Sequence, residues 1–379
     1  MGGEADPRAE RLGAVRPSSD EIRSLTGLRA LLAWLVVGFH FLRGVLPPEL
    51  AFLRRVLVPG HLAVDAFFIL SGYVLARRYA ADAARPLPWR RGFFVRRFAR
   101  LYPLYLVALL VGMAASWPAV LGDFGTARGR VRLLLDVGLL NAWSHTAMFR
   151  YNWAAWSLSV EAFFYLLVPV ILPALVRRTK ARGRALLVVV GCAWAATFVA
   201  PALYAYFDPD HLGRPPVLGD EVLWVWYLKF FPLQRLPELV AGMAVALLPP
   251  PSPRVARFAP LAAIVLVAVA TSGIVPYAYV HSGVLMPLVV LLLVTVAATP
   301  GGWLASRGMV LFGHASYATY ILHVPFFLLL ARFEPALWER PALVLGYMAL
   351  LAVLSLAAYR FVEEPLRRRI TRVLAANTR

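Results

Sequence analysis

The sequence predicts an all-α, polytopic membrane bundle of about ten transmembrane helices with both termini in the cytosol. Three observations carry this. First, 60% of the 379 residues are hydrophobic and only 16% are charged, whereas soluble domains run near ~45–50% and ~25%. Second, ten apolar segments are long enough to cross a bilayer, at roughly 27–46, 61–79, 95–117, 156–175, 185–206, 231–248, 257–275, 282–299, 310–331 and 342–362. Third, the basic residues are asymmetric. Of 39 Lys and Arg, 25 fall on the side of the N-terminal tail and 10 on the other, with Arg29, Arg43, Arg235 and Arg360 inside helices. By the positive-inside rule this places both ends in the cytosol. The +19 net charge then encodes topology and contact with anionic lipid rather than nucleic-acid binding.

Residues 1–24 are polar, without the apolar core of a signal peptide, and are expected to be a cytosolic tail. Residues 25–363 form the membrane domain, and 364–379 a basic cytosolic tail. Pro169 and Pro173 should bend the fourth helix. The apolar piece 131–143 is too short to span and is expected at the interface. Cys192, the single cysteine, offers neither a disulfide nor a CxxC metal site. The connections are moderate in length, so no inserted or appended soluble domain is expected.

The first helix, LTGLRALLAWLVVGFH, carries a polar stripe. Arg29 and His40 are eleven residues apart, which places them within about 20° of one helix face and about 16 Å apart along the axis. Two readings fit. A snorkelling Arg and a locally satisfied His would be structural; ionisable groups at this depth otherwise mark a functional site.

Helix rise places further ionisable groups at similar depths from the outer edge: His40 at about 9 Å, Asp65 about 6 Å, Glu161 about 7 Å, Arg235 and Glu238 roughly 6–10 Å, and His323 about 12 Å. Five helices converging on one level suggest a polar cavity where a carboxylate orients a histidine for proton transfer. A structural ion-pair network of Arg235 with Glu238 or Glu161 is the alternative. On the cytosolic side, RRGFFVRRFARLYP places Arg97 and Arg100 on one face. They could clamp phosphate or form a collar on lipid headgroups; alignment with Arg29 favours a ligand. Ser71 and Ser157 lack a GxSxG elbow. His61, His145, His211 and His281 lack metal-ligand spacing, and His314 reads as locally satisfied.

LTGLRALLAWLVVGFH, GHLAVDAFFILSGY, RRFARLYPLY, WSLSVEAFFYLLVP, RLPELVAGM and FGHASYATYILHVP occur in this order. Together they resemble the membrane-bound acyltransferase 3 family of O-acyltransferases over nearly the whole chain. The resemblance implies an acyl-CoA donor, acetyl-CoA foremost, with no metal. It also implies catalytic His40, functional acids at Asp65 and Glu161, and donor binding by Arg97 and Arg100; Arg29, aligned with them at the same edge, is expected to join them. Arg235, Glu238, Tyr317 and His323 are expected at the acceptor. Two positions depart from the family pattern: GHLAVD lacks a glycine common before Val-Asp, and Thr26 stands where an acidic residue is common. Many relatives carry a hydrolase-like domain that passes the acyl group on; here the membrane domain is expected to present it to the acceptor or to a separate protein.

The expected protein is therefore a multi-pass cell-membrane enzyme that moves a short acyl group from acyl-CoA to a hydroxyl of a glycan or natural product. His40 is the general base, supported by Asp65 or Glu161. A channel between the first four helices should open to the cytosol and narrow towards His40. A transporter or a lipid- or glycan-binding protein using the same polar level is the alternative.

Overall fold

A computed structural model describes residues 21–83, 89–180, 182–207, 222–249, 252–299 and 301–376. His211, most of the N-terminal tail and the last three residues lie outside them. The described residues form helices and turns, without strands.

The principal helices are α1 (Arg23–Val37), α2 (Leu62–Ala83), α3 (Trp89–Ala115), α4 (Trp156–Thr179), α5 (Gly183–Ala196), α6 (Leu236–Ala246), α7 (Ala259–Thr271), α8 (Met286–Ala297), α9 (Arg307–His314), α10 (Ser316–Ala331), α11 (Pro341–Ala358) and α12 (Glu364–Ala376). Helix α4 runs unbroken through Pro169 and Pro173. The basic stretch expected as a tail from residue 364 is the helix α12, packed along α3.

Among the described residues, seven helical runs are long and apolar enough to span, or eight if α9 and α10, bent by 59° at their junction, count as one. The difference from ten lies in the segments at 231–248 and 282–299. Proline opens both helices, and they reach only 11 and 12 residues, about 16–18 Å against the ~30 Å of hydrocarbon. Helix α6 persists at this length because protein surrounds it: Glu238, Leu239 and residues 241–246 are buried. Apart from Glu238 the helix is apolar on all sides, which suits such an interior.

Helix α2 is central, against α6, α4 and α1. The α2–α6 seam is set by Gly72 and Gly242. A methyl group on Gly72 would overlap the Leu239 carbonyl, and one on Gly242 the Ile69 carbonyl. Small residues allow this backbone approach, which supplies packing where apolar burial drives little, since lipid is itself apolar. Leu110 on α3, Leu166 and Val170 on α4 and Val353 on α11 are 60–65% exposed, as suits a lipid-facing surface.

Candidate active site

His40 does not sit on a regular α-helix. Residues Gly38–Leu42 form a π turn, closed by the Arg43 amide donating to the Gly38 carbonyl. Each residue of an i→i+5 turn advances by less than the α-helical 100°, so the register counted from Arg29 shifts before His40. The shift brings His40 to His323: Nδ1 of His40 lies 2.9 Å from Nε2 of His323, with the rings nearly parallel.

His323 is fully buried and fixed at both ends. Its Nδ1 lies 2.5 Å from the Tyr320 carbonyl one turn earlier, and its own carbonyl accepts from the Tyr347 hydroxyl at 2.5 Å. Two residues on, Pro325 has no amide to offer the Ile321 carbonyl. Asn152 Nδ2 fills that role at 2.9 Å, tying α10 to the loop before α4.

The chain of contacts sets the tautomers. A carbonyl can only accept, so Nδ1 of His323 carries its proton and Nε2 of the neutral ring accepts. Nδ1 of His40 must then donate. The lone pair of neutral His40 is left on Nε2, as a general base requires.

A cavity of about 80 Å³ adjoins Tyr320. It is lined by Arg29 of α1, Arg97 and Arg100 of α3, Glu161 and Tyr165 of α4, and Tyr317 and Tyr320 of α10, with apolar residues of α2. Ser71 and Ser157 also line it. The Ser157 and Tyr320 hydroxyls are 2.8 Å apart, and Tyr320 meets His323 with both its carbonyl and its ring, the ring centroids 5.6 Å apart, so this one residue belongs to the cavity lining and touches the histidine pair. Helices α1–α4 thus wall the hollow as expected, but α10 joins them, and His40 itself is not in the lining. Glu161 accepts from the Tyr165 hydroxyl. Arg97 lies over the Tyr165 ring at 5.8 Å, and its Nε is buried without a hydrogen-bond partner, a cost that an anion could relieve. Arg97 and Arg100 also line a larger vestibule of about 510 Å³, with Arg96, Arg367, Arg368 and Arg372.

Asp65, Arg235 and Glu238 form a separate cluster. Arg235 Nη1 contacts Asp65 Oδ1 at 3.2 Å and Glu238 Oε1 at 3.0 Å. Its Nε and Nη2 donate to the Lys229 carbonyl, and Nη2 also to that of His281. All five guanidinium protons are engaged, an arrangement suited to holding elements together. The expectation that Asp65 or Glu161 supports His40 is corrected on this point. Asp65 is drawn to Arg235 and Glu161 to Tyr165, while His323, expected at the acceptor, is the partner of His40. The single polar level resolves into a histidine pair, an arginine-lined cavity and an ion cluster.

A protein-family profile described as an acyltransferase domain, acyltransferase 3, matches residues 22–360. The chain belongs to the acyltransferase 3 family. It is 31% identical over 239 residues to the acyltransferase MdmB of Streptomyces mycarofaciens, covering 61% of this chain and 58% of the relative. It is 23% identical over 386 residues to the peptidoglycan O-acetyltransferase OatA of Listeria monocytogenes, covering 93% of this chain and 57% of the relative. The chain thus spans just over half the length of these curated relatives. No solved structure matches it.

Within this acyltransferase 3 domain, sequence reasoning singled out neither Tyr320 nor Asn152. Tyr320 precedes His323 by three residues, one helical turn, and that spacing within SYATYILHVP was the available signal. Asn152 had none, because its partner is 169 residues away. His314 contacts Glu21 at 3.4 Å and stacks on Tyr359, a locally satisfied histidine. His61 and His281 pack ring to ring at 4.2 Å beside the Arg235 cluster.

Proposed function

We propose that this acyltransferase 3 protein is an integral-membrane O-acyltransferase of the cell membrane. It takes a short acyl group, acetyl foremost, from cytosolic acyl-CoA and delivers it to a hydroxyl of a glycan or hydroxylated natural product. The name of the OatA relative supports the O-acetyl and glycan parts of this reading. The observation that carries it is the Tyr320–His323–His40 chain of contacts, which shares Tyr320 with the lining of an arginine-lined cavity.

The residues suit the task. Convergent guanidiniums with a buried, unpartnered Nε fit the phosphates of a nucleotide donor. The basic side of the chain is cytosolic in the expected topology, which is where the donor would enter. Among the described residues no hydroxyl or thiol hydrogen-bonds His40, so its Nε2 is left for the acceptor. The acceptor hydroxyl gives its proton to Nε2 as its oxygen attacks the thioester carbonyl. The carbon–sulfur bond breaks as the carbon–oxygen bond forms, and the proton passes from His40 to the departing thiolate. His323 keeps His40 in the required tautomer and orientation.

The test is release of free CoA thiol by the purified protein with acetyl-CoA and a panel of glycans and hydroxylated small molecules, with the acylated product identified by mass. Acceptor-dependent thiol release is expected. Absence of both donor binding and release would overturn the reading.

A further inference from the structure

Helix α12 carries arginines at 367, 368, 369 and 372. Residues 368 and 372 lie one turn apart, with 367 and 371 on the neighbouring row. These two rows face α3 and, with Arg96, Arg97 and Arg100, enclose the vestibule of about 510 Å³. Glu364 accepts from Arg367 Nε at 2.9 Å and Arg368 Nε at 2.6 Å, which holds both side chains. Arg96 is held by donation from Nε to the Tyr79 hydroxyl at 3.0 Å. The lining among the described residues has six arginines and no carboxylate.

A collar for lipid headgroups need be neither concave nor pre-positioned. Convergent guanidiniums suit several phosphates on one molecule, and the volume falls within the ~300–1,000 Å³ of ligand pockets. The inner cavity, about 80 Å³, admits a thin chain and not a nucleotide. Arg97 and Arg100 line both hollows, so they stand where a ligand would pass from its broad end to its narrow one. In CoA the pantetheine arm is followed by a pyrophosphate, then by the ribose with its 3′-phosphate. With the arm in the cavity, the pyrophosphate falls at Arg97 and Arg100 and the 3′-phosphate reaches the far wall.

We propose that α12 completes the donor site, with Arg368, Arg372 and Thr371 binding the 3′-phosphate of the nucleotide. The inference rests on the acyl-CoA reading above and adds that the 3′-phosphate is specifically recognised.

The experiment compares binding of CoA and 3′-dephospho-CoA to the full chain in phosphatidylcholine nanodiscs. Wild type is expected to prefer CoA by roughly tenfold, the scale of one charge-assisted contact. Arg372→Ala and Arg368→Ala should erase that preference by weakening CoA alone. Arg372 is exposed, so its replacement leaves the fold intact. Arg369→Ala, on the same helix but outside the vestibule, should change neither affinity. Equal wild-type affinity for the two ligands, or variants that weaken both alike or neither, would overturn the proposal while leaving the donor reading standing. If wild type binds neither ligand, both fall. Phosphatidylglycerol added to the discs should leave the preference in place; if it abolishes it, the hollow is a headgroup site and the proposal fails.

Discussion

The Tyr320 carbonyl lies 2.5 Å from Nδ1 of His323, and that contact decides which nitrogen of His40 is open for chemistry. His40→Ala should therefore abolish transfer in a folded protein, with a loss of ~10²–10⁴ in rate. Acceptor-dependent thiol release, read beside an unchanged thermal unfolding profile, checks this. More than half the wild-type turnover would remove His40 from the mechanism.

His323 acts through His40, as a positioning residue. His323→Ala should lower kcat by about 10–100-fold, the scale of losing a partner that orients a functional histidine, with KM for the donor unchanged. His323→Gln, whose side-chain oxygen can accept from His40 Nδ1, should recover part of the loss. A rise in donor KM with kcat intact would assign His323 to binding instead.

Arg97 and Arg100 are expected to act on donor affinity. Their joint replacement by Ala should raise KM for acetyl-CoA by at least tenfold with a smaller change in kcat, because contacts remote from the reacting carbon anchor the donor. Lysine at both positions should rescue only in part, lacking the bidentate fork. An unchanged KM would reduce them to a headgroup collar.

Arg235 should matter for stability first. It is 3% exposed and compensates Asp65 and Glu238, 5% and 1% exposed. Arg235→Ala leaves two buried carboxylates without a cation, which costs about 3–5 kcal/mol. The readout is a lowered midpoint of thermal unfolding in detergent, and a midpoint equal to wild type would contradict it.

Outside the membrane spans, Arg150 and Tyr151 both donate to the Asp123 carboxylate. Burial alone would raise this carboxyl, yet the hydrogen bonds from Arg150 and then Tyr151 hold it below its ordinary range. A depressed folded-state value stabilises the loop above the ordinary carboxylate pKa of about 3.9, and the effect is lost as pH falls through the folded value. Limited proteolysis within residues 119–151 should rise in acid below about pH 4 as Asp123 protonates; Asp136 in the same loop, raised by burial to about 7, acts in the opposite sense and lowers susceptibility as pH falls from neutral. Asp123→Asn should show the raised susceptibility at neutral pH, with no acid transition; an acid transition retained in that variant would point to another group.

The architecture was legible in the sequence where it depends on local composition. The apolar runs, the basic asymmetry and the six ordered motifs are each contained in short stretches. The shorter α6 and α8 were less so, because an apolar run that crosses lipid and one enclosed by protein have the same composition. Helix rise singles out His40, Asp65, Glu161, Arg235 and His323 as ionisable groups within the membrane domain, but not their pairings. Asp65 and Arg235 are 170 residues apart and His40 and His323 are 283, so the partners are set by packing. The π turn at Gly38–Leu42 then rotates His40 off the stripe it appears to share with Arg29, and no residue type announces such a turn.

A hollow within a bilayer-spanning protein is also a conduction hazard. Arg29, Arg97 and Arg100 set fixed positive charge along the cavity, and positive charge at a constriction repels sodium, potassium and hydronium before they enter. The same side chains that suit an anionic donor thus disfavour cations in the hollow, so one set of charges serves both selection of a ligand and exclusion of small positive ions.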